Sequence, residues 1–339
     1  MIEKHGGNVR FLLIPFAAIF LVTAASSQNK PEFNVKFGGT VQVLASYSQT
    51  NTDTAQTGFG LRRVRVRMQT EYGDFLRSFV QFEFTTPKLV DAIIDYTASK
   101  AFMIRLGRFV GAGVRAGGLT LHADMDIIER SASAIYWGNA TIGSDFRDYG
   151  IAFLGDVEGF NYDLTIHNGG GDKNIKASHA SLSNILDKGV AVSGMIFYKP
   201  PELKGFEAGG YYGVGNKYIN NYTSYNAYVY FEPLPYRLKA ELISFTNKNS
   251  ANHITSLGYY FFGAYRFIIN FEGLARFEVF DPDINLKNDK QIDITIGLSY
   301  ALFPESWRTA KITGAYVLRR EETGTIDDDI FYLMFQTVL

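Results

Sequence analysis

Along most of the chain, apolar and polar residues alternate one for one. From Phe33 the odd positions Val35, Phe37, Val41, Val43, Ala45 and Tyr47 are apolar, while Asn34, Lys36, Thr40 and Gln42 between them are polar. Side chains that swap faces at every residue mark an extended strand with one apolar and one polar side. The pattern predicts sixteen segments: 33–48, 60–72, 76–84, 89–97, 101–109, 149–157, 160–168, 189–199, 205–214, 223–232, 236–246, 254–263, 265–279, 290–301, 308–319 and 329–339. Many of them are longer than the strands of a soluble sheet need to be. A wall with lipid on one side and water on the other calls for this length and this alternation.

The predicted connections alternate too. Tight ones fall at Gly73-Asp74, Ala98-Ser99, Val157 to Gly159, Pro200 to Lys204, Pro233 to Pro235, Gly263-Ala264 and Phe303 to Ser306. Longer polar ones fall at 49–58, 110–148, 169–188, 215–222, 247–253, 280–289 and 320–328; only Thr85 to Lys88 breaks the long series. Short turns at one end and long loops at the other are the asymmetry of bacterial outer-membrane barrels, whose short turns are periplasmic. The fold class expected is therefore all-β, a transmembrane antiparallel β-barrel of about 16 strands. The even strand number puts both termini on the periplasmic side of a Gram-negative outer membrane. A barrel of this size can enclose an aqueous channel. The last segment, Ile330 to Leu339, is the aromatic-rich terminal strand that assembly machinery reads in such barrels, ending here in Leu rather than Phe.

Composition changes this picture in three ways. Mean hydropathy is only −0.05, too low for a helical membrane protein but ordinary for a barrel, whose alternation averages out. The N-terminus has Lys4 and Arg10, then the 15-residue apolar run Phe11 to Ala25, then Ala24-Ala25-Ser26-Ser27. These are the three regions of a secretory signal, too short and too interrupted by Pro15 to span a bilayer. Residues 1–27 are accordingly expected to be a cleaved signal peptide and 28–339 a single barrel domain. The net charge of −1 offers nothing to nucleic acid, and the absence of cysteine excludes disulfides and thiolate chemistry.

The alternation also sorts the charges. In 60–72, Val64, Val66, Met68 and Tyr72 alternate with Arg63, Arg65, Arg67, Gln69 and Glu71. An arginine facing lipid at mid-membrane costs about 2–4 kcal/mol, so the three arginines are placed on the lumen side. The same logic turns Arg77, Gln81, Glu83, Asp91, Asp95 and Arg105 inward, and Val80, Phe82, Phe84, Val90, Ala92, Ile94 and Tyr96 outward. A three-residue turn after Tyr72 would set Glu71 opposite Arg77 and Arg65 opposite Glu83, leaving Arg63 and Arg67 with spare donors. Inward guanidiniums (Arg63, Arg65, Arg67, Arg77, Arg105) suit small oxyanions through their planar fork of donors. Elsewhere the inward basic residues Arg237, Lys239, Arg266, Arg276 and Lys311 nearly cancel the inward acids Glu207, Glu241, Glu272, Glu278 and Asp293. Anion preference is therefore expected only locally, near the first three arginines.

The connection 110–148 is the longest, and loops of this length in compact proteins usually carry function. Folded into the lumen it would set the narrowest point, with Arg115, His122, Asp124, Asp126, Glu129 and Arg130 as constriction candidates. The alternative is a loop lying over the mouth or between subunits. Three stretches around it carry a family resemblance. Gly60-Leu61-Arg62-Arg63-Val64-Arg65-Val66 resembles the arginine-rich early strand of the phosphate-selective porin O and P family. Arg105-Leu106-Gly107-Arg108-Phe109 is similar to the strand end before that family's long loop. Asp126-Ile127-Ile128-Glu129-Arg130-Ser131, followed by Phe146-Arg147-Asp148-Tyr149-Gly150, is similar to its loop motif and next strand entry. The resemblance covers residues 58–150 and implies a 16-stranded, usually homotrimeric, channel for small anions.

Other chemistry has little footing. His122, His167, His179 and His253 show no HExxH spacing, and neither a GxSxG elbow nor a P-loop occurs. No metal or cofactor is expected. His167 is the single candidate base for a barrel enzyme of the lipase or protease type, and it lacks an evident nucleophile. The expected function is a passive diffusion channel whose partners are outer-membrane lipid and small anions or other hydrophilic solutes. An unselective general porin, a barrel enzyme and a plugged anchoring barrel are the alternatives.

Overall fold

The computed structural model describes residues 32–51, 54–141, 145–169, 190–215, 221–248, 253–322 and 328–339. Residues 1–27, the expected signal peptide, lie outside them. Sixteen strands follow in order: β1 Phe33–Asn51, β2 Thr54–Tyr72, β3 Leu76–Glu83, β4 Lys88–Ser99, β5 Phe102–Phe109, β6 Asp148–Val157, β7 Phe160–His167 and β8 Ala191–Tyr198, then β9 Phe206–Gly215, β10 Tyr222–Phe231, β11 Tyr236–Asn247, β12 Ile254–Ile268, β13 Phe271–Asp281, β14 Gln291–Ala301, β15 Ala310–Glu321 and β16 Ile330–Val338. Each pairs antiparallel with its sequence neighbours, and β1 pairs with β16, so the sheet closes with no free edge. Apart from the bulges, closure pairs the strands' backbone polar groups within the sheet, which hydrocarbon demands.

Burial is inverted relative to a soluble protein. The outward positions carry exposed Phe37, Phe59, Leu61, Val66, Ile196 and Phe261. The inward positions carry buried Thr40, Gln42, Arg65, Gln81 and Glu83. Around the short-turn end runs a belt of paired rings: Tyr72 with Phe75, Phe160 with Tyr198, Tyr236 with Tyr265, and Phe271 with both Phe267 and Tyr300. Aromatic girdles of this kind sit at the membrane–water boundary.

Strand register follows the sequence expectation in β2 and β3, with Tyr72 opposite Leu76, Glu71 opposite Arg77 and Arg65 opposite Glu83. Three departures matter. Gly263 and Ala264 are not a turn: both pair within β12, opposite Leu238 and Arg237, and the chain reverses at Ile269-Asn270. Alternation runs unbroken through Tyr265 and Arg266, and a glycine inside a barrel strand is no stop signal by itself. Second, the β4–β5 turn falls at Lys100-Ala101, two residues beyond Ala98-Ser99. Third, Val90 is not on the lipid face. A bulge pairs Gln81 with Asp91 and Phe82 with Leu89, leaving Val90 without a cross-strand partner and fully buried.

A second bulge has a larger effect. Gln42 pairs with Arg63 while Val43 pairs with Leu61, so Arg62 is the extra residue of β2. A bulge re-aims side chains. Here it brings Arg62 to the same Gln42 carboxamide oxygen that Arg63 binds, at 3.4 and 3.0 Å.

The connection between β5 and β6 lies inside the barrel. It holds a 3-10 turn, His122–Asp124, and one helix, α1, Ala132–Ala140, with Ser131 as its N-cap. Trp137, Val114 and Ile128 in this connection are almost wholly buried. Trp137 packs with Tyr211, Ile243 and Phe245, and Ile128 lies in a cluster with Tyr260, Phe262 and Met334. Where α1 crosses β12, Gly258 leaves room that a Cβ would take from Ser133.

Candidate conduction pathway

A long irregular segment in a lumen must find partners for its backbone groups. The barrel wall supplies them with charged and amide side chains. Glu241 accepts the backbone N–H groups of Arg115 (2.8 Å) and Ala116 (2.9 Å), and Glu278 accepts that of Ala132 at the start of α1. Gln42 donates to the His122 carbonyl (3.2 Å), Gln336 to that of Ala123 (3.0 Å), Lys311 to that of Met125 (2.9 Å) and Arg276 to that of Glu129 (3.0 Å). These partners come from β1, β11, β13, β15 and β16. The backbone of the loop is therefore held by the far side of the barrel, while side-chain contacts such as Arg62 with Glu129 and Arg147 with Asp91 also link it to β2 and β4.

Two of the loop's charged candidates serve this attachment. The Arg115 guanidinium binds Glu207 (2.8 Å) and lies over the Tyr230 ring. Asp126 bridges Arg237 and Lys239, the latter at 2.8 Å. Burial alone would raise the Asp126 carboxyl; Lys239 and Arg237 outweigh it and hold it down at about 2. The lower loop candidate Asp124 meets Arg308 at 3.3 Å.

Opposite the attached loop, two chambers remain along β2 to β5. One, of about 230 Å³, is bounded by Arg62, Arg63, Arg65, Glu83, Lys88, Arg130, Asp145 and Arg147, among others. The other, of about 620 Å³ and nearer the short-turn end, is bounded by Lys36, Arg67, Arg77, Asp91, Arg105, Arg147 and Arg308, among others. They meet at Gly118, His122 and Arg147, which border both. Together their linings hold eleven basic side chains against three acidic ones, and four further carboxylates, Glu71, Asp95, Asp124 and Glu129, pair with them, so the balance of eleven to seven leaves the region positive although the chain is not.

The arginines differ in how far they are neutralised. Arg65 pairs with Glu83 at 2.8 Å and Arg147 with Asp91 at 3.0 Å. Arg77 and Arg105 share one carboxylate, Asp95, so two charges meet one. Glu71, although opposite Arg77, binds Lys36 instead (2.8 Å). Arg62 takes Glu129 at 2.9 Å. Arg67 donates to the Leu339 carbonyl at 3.3 Å. Among the described residues Arg63, Arg67 and Arg130 have no side-chain carboxylate partner. Arg63 holds only the Gln42 amide, and Arg130 donates to the carbonyls of Ala116, Gly117 and Thr120. Burial, with Arg147 and Arg62 beside it, pushes Arg130 down to about 10.

At the junction Arg65 Nη1 lies 3.0 Å from His122 Nδ1. Burial first, then Arg65, Arg63 and Arg147, push the His122 imidazole down to about 2, so it is neutral at any ordinary pH. Gly107, the glycine of the Arg105–Phe109 stretch, has φ +121°, and a Cβ there would collide with the Ala92 carbonyl. It lets the end of β5 close against β4, where Arg108 reaches Asp145 at 2.6 Å and ties the returning loop to the wall.

Sequence reasoning brought Arg63, Arg65, Arg67, Arg77 and Arg105 to this pathway, and His122 and Arg130 border it from the loop, while Glu129 sits behind it on Arg62. Arg115 and Asp126 face the far wall. Arg62, Lys88, Arg147 and Arg308 were not singled out. Arg62 escaped because strict alternation turns it toward lipid, and only the bulge turns it in. His167 is buried inside, bound to Asp148 at 2.7 Å.

The sequence pattern describing Gram-negative porins matches residues 16–334. No curated protein sequence matches the chain. Among solved structures it is similar to an anion-selective porin from Comamonas acidovorans, with 13% identity, TM-score 0.69, and 91% of this chain and 100% of that one covered. It is also similar to Salmonella typhi OmpF solved with daunomycin, with 12% identity, TM-score 0.65, and 93% and 99% covered. A trimer form of OmpT, an outer membrane protein of Vibrio cholerae, matches with 11% identity, TM-score 0.61, and 91% and 99% covered. At these identities the structures speak for the fold; the match over almost the whole length speaks for the family. This chain belongs to the Gram-negative porin family and forms an outer-membrane channel barrel.

Proposed function

We propose that this porin is a passive channel that favours small anions, phosphate among them, along the β2–β5 wall, with loop 110–147 setting its narrowest point. The observation that carries this reading is the excess of basic over acidic side chains around the two chambers, eleven to seven once the paired carboxylates behind the linings are included. Positive rings and rows in a narrow passage lower the energy of an entering anion and raise that of a cation. The name of the Comamonas acidovorans relative and the resemblance of residues 58–150 to phosphate-selective porins point the same way. The short-turn end, which holds both Phe33 and Leu339, faces the periplasm on this reading, and three copies assemble, as in the trimeric OmpT relative.

The test is the zero-current potential of the purified protein in a planar bilayer under a KCl gradient. A potential of the sign set by chloride, moving further that way for inorganic phosphate, is the expected result. A cation-favouring potential would overturn the anion reading, and absence of conductance would overturn the channel.

A further inference from the structure

His122 stands where the two chambers meet, bordering both. Its Nδ1 lies 3.0 Å from Arg65 Nη1. A guanidinium can only donate, so Nδ1 must accept, and the one imidazole proton must sit on Nε2. Arg65 cannot easily turn away, because its Nε is held by Glu83 at 2.8 Å and both side chains are buried. Across the ring, Nε2 is buried and has no hydrogen-bond partner among the described residues. The residue is itself only 7% exposed. A buried donor left unpaired costs free energy and marks a place where a partner from outside the chain belongs.

We infer that His122 is a specificity-determining residue: a neutral donor fixed by Arg65, whose Nε2–H donates a hydrogen bond to a small oxyanion or its hydration water at the neck and so favours oxyanions over halides of equal charge. The inference rests on the anion reading above, and adds direction to what the arginines supply as charge. Charge alone does not separate formate from chloride. A directional donor does, because a carboxylate oxygen accepts a linear hydrogen bond in a way that a spherical halide matches less well. Reaching Nε2 requires the neck side chains to part as the ion passes.

The lock on the tautomer has a second consequence. The charged groups facing His122 are Arg63, Arg65 and Arg67 of β2 and Arg147 at the end of the loop. Of the acids around it, Glu83, Asp91 and Asp124 are taken by Arg65, Arg147 and Arg308. No free carboxylate is left to draw a second proton onto the ring.

The experiment compares formate with chloride permeability from bi-ionic reversal potentials of the intact porin and two variants. His122→Asn keeps an acceptor near the Nδ1 position but does not reach the Nε2 position. His122→Gln reaches it with an amide N–H. The formate-to-chloride ratio should fall about two- to threefold in His122→Asn and return to near the parent value in His122→Gln. It should also be flat from pH 8 to pH 5.5 in the parent. An unchanged ratio in His122→Asn, an equal loss in His122→Gln, or a step near pH 6.5 in the parent would each overturn the inference. A parent channel without anion preference would instead overturn the proposed function, so the two failures are distinguishable.

Discussion

The wall of β2 to β5 and the wall of β9 to β13 carry inward charges of both signs, yet they do different things with them. On the first, arginines outnumber their carboxylates and border open chambers. On the second, Glu207, Glu241 and Glu278 are occupied by Arg115, by backbone N–H groups and by the start of α1, while Arg237 and Lys239 are occupied by Asp126. A summed charge over the lumen comes out near zero and describes neither wall. What a permeating ion meets depends on which charges the loop has already consumed.

The largest expected break in this comparison is Glu241→Ala. Its carboxylate accepts the N–H groups of Arg115 and Ala116, the Asn226 amide (2.5 Å) and the Tyr260 hydroxyl (3.1 Å). Losing it strands several buried donors, at about 3 kcal/mol in total. The loop should detach, seen as a higher and noisier single-channel conductance and a lower melting temperature. A quiet channel of parental conductance would show that the attachment lies elsewhere.

Replacing Arg63, Arg65 and Arg67 together by Ala comes next. The reversal potential under a KCl gradient should move roughly halfway toward zero, with conductance little altered. No movement would leave these residues as wall ion-pair partners only. A smaller effect is expected for Asp126→Asn, which removes the loop charge that Arg237 and Lys239 of the far wall hold. It should lower thermal stability while leaving the reversal potential in place; a shift equal to that of the triple variant would erase the distinction between the walls.

The smallest signal is in pH. Asp126 is held at about 2, below its ordinary 3.8, so its ion pairs contribute fully above about pH 4 and are lost as pH falls through 2. His122 is also pushed down to about 2, from an ordinary 6.5. The undocked or unfolded chain then binds its proton first, so the docked loop loses stability steadily as pH falls below 6.5, and gains none above it. Excursions to higher, noisier conductance should grow more frequent below about pH 6 while chloride preference stays level. A rise in chloride preference across pH 6.5 would mean that His122 takes up a proton in place.

Much of the barrel was legible because alternation, turn length and the cost of arginine in lipid are local properties. They gave the strand number, the Arg65–Glu83 register and the inward arginines. The Gly263-Ala264 turn failed because a Gly-Ala step looks like a stop, whereas the alternation through Tyr265 and Arg266 runs on. Val90 and Arg62 failed together, since a bulge breaks the period of two at a single residue without any mark in composition. The fate of Glu207 and Glu241 was not legible, because their partners lie 92 and 126 residues away on the loop. One signal was available: β10 and β12 carry Tyr228, Tyr230, Tyr260 and Phe262 on the inward face, where a water-filled wall would have polar residues. An inner face that aromatic is a surface waiting for something to pack against it.

The central claim is that ions travel along β2 to β5 and not along β9 to β13. The chain has no cysteine, so single cysteines can be read without background. Gln69→Cys and Phe79→Cys place a thiol beside the larger chamber, and Tyr230→Cys and Phe262→Cys place one behind the loop. With a small charged methanethiosulfonate added during recording, the first pair should react quickly and change the single-channel current, and the second pair should leave it unchanged. Fast modification with a current change at Tyr230→Cys or Phe262→Cys, and none at Gln69→Cys or Phe79→Cys, would contradict the account.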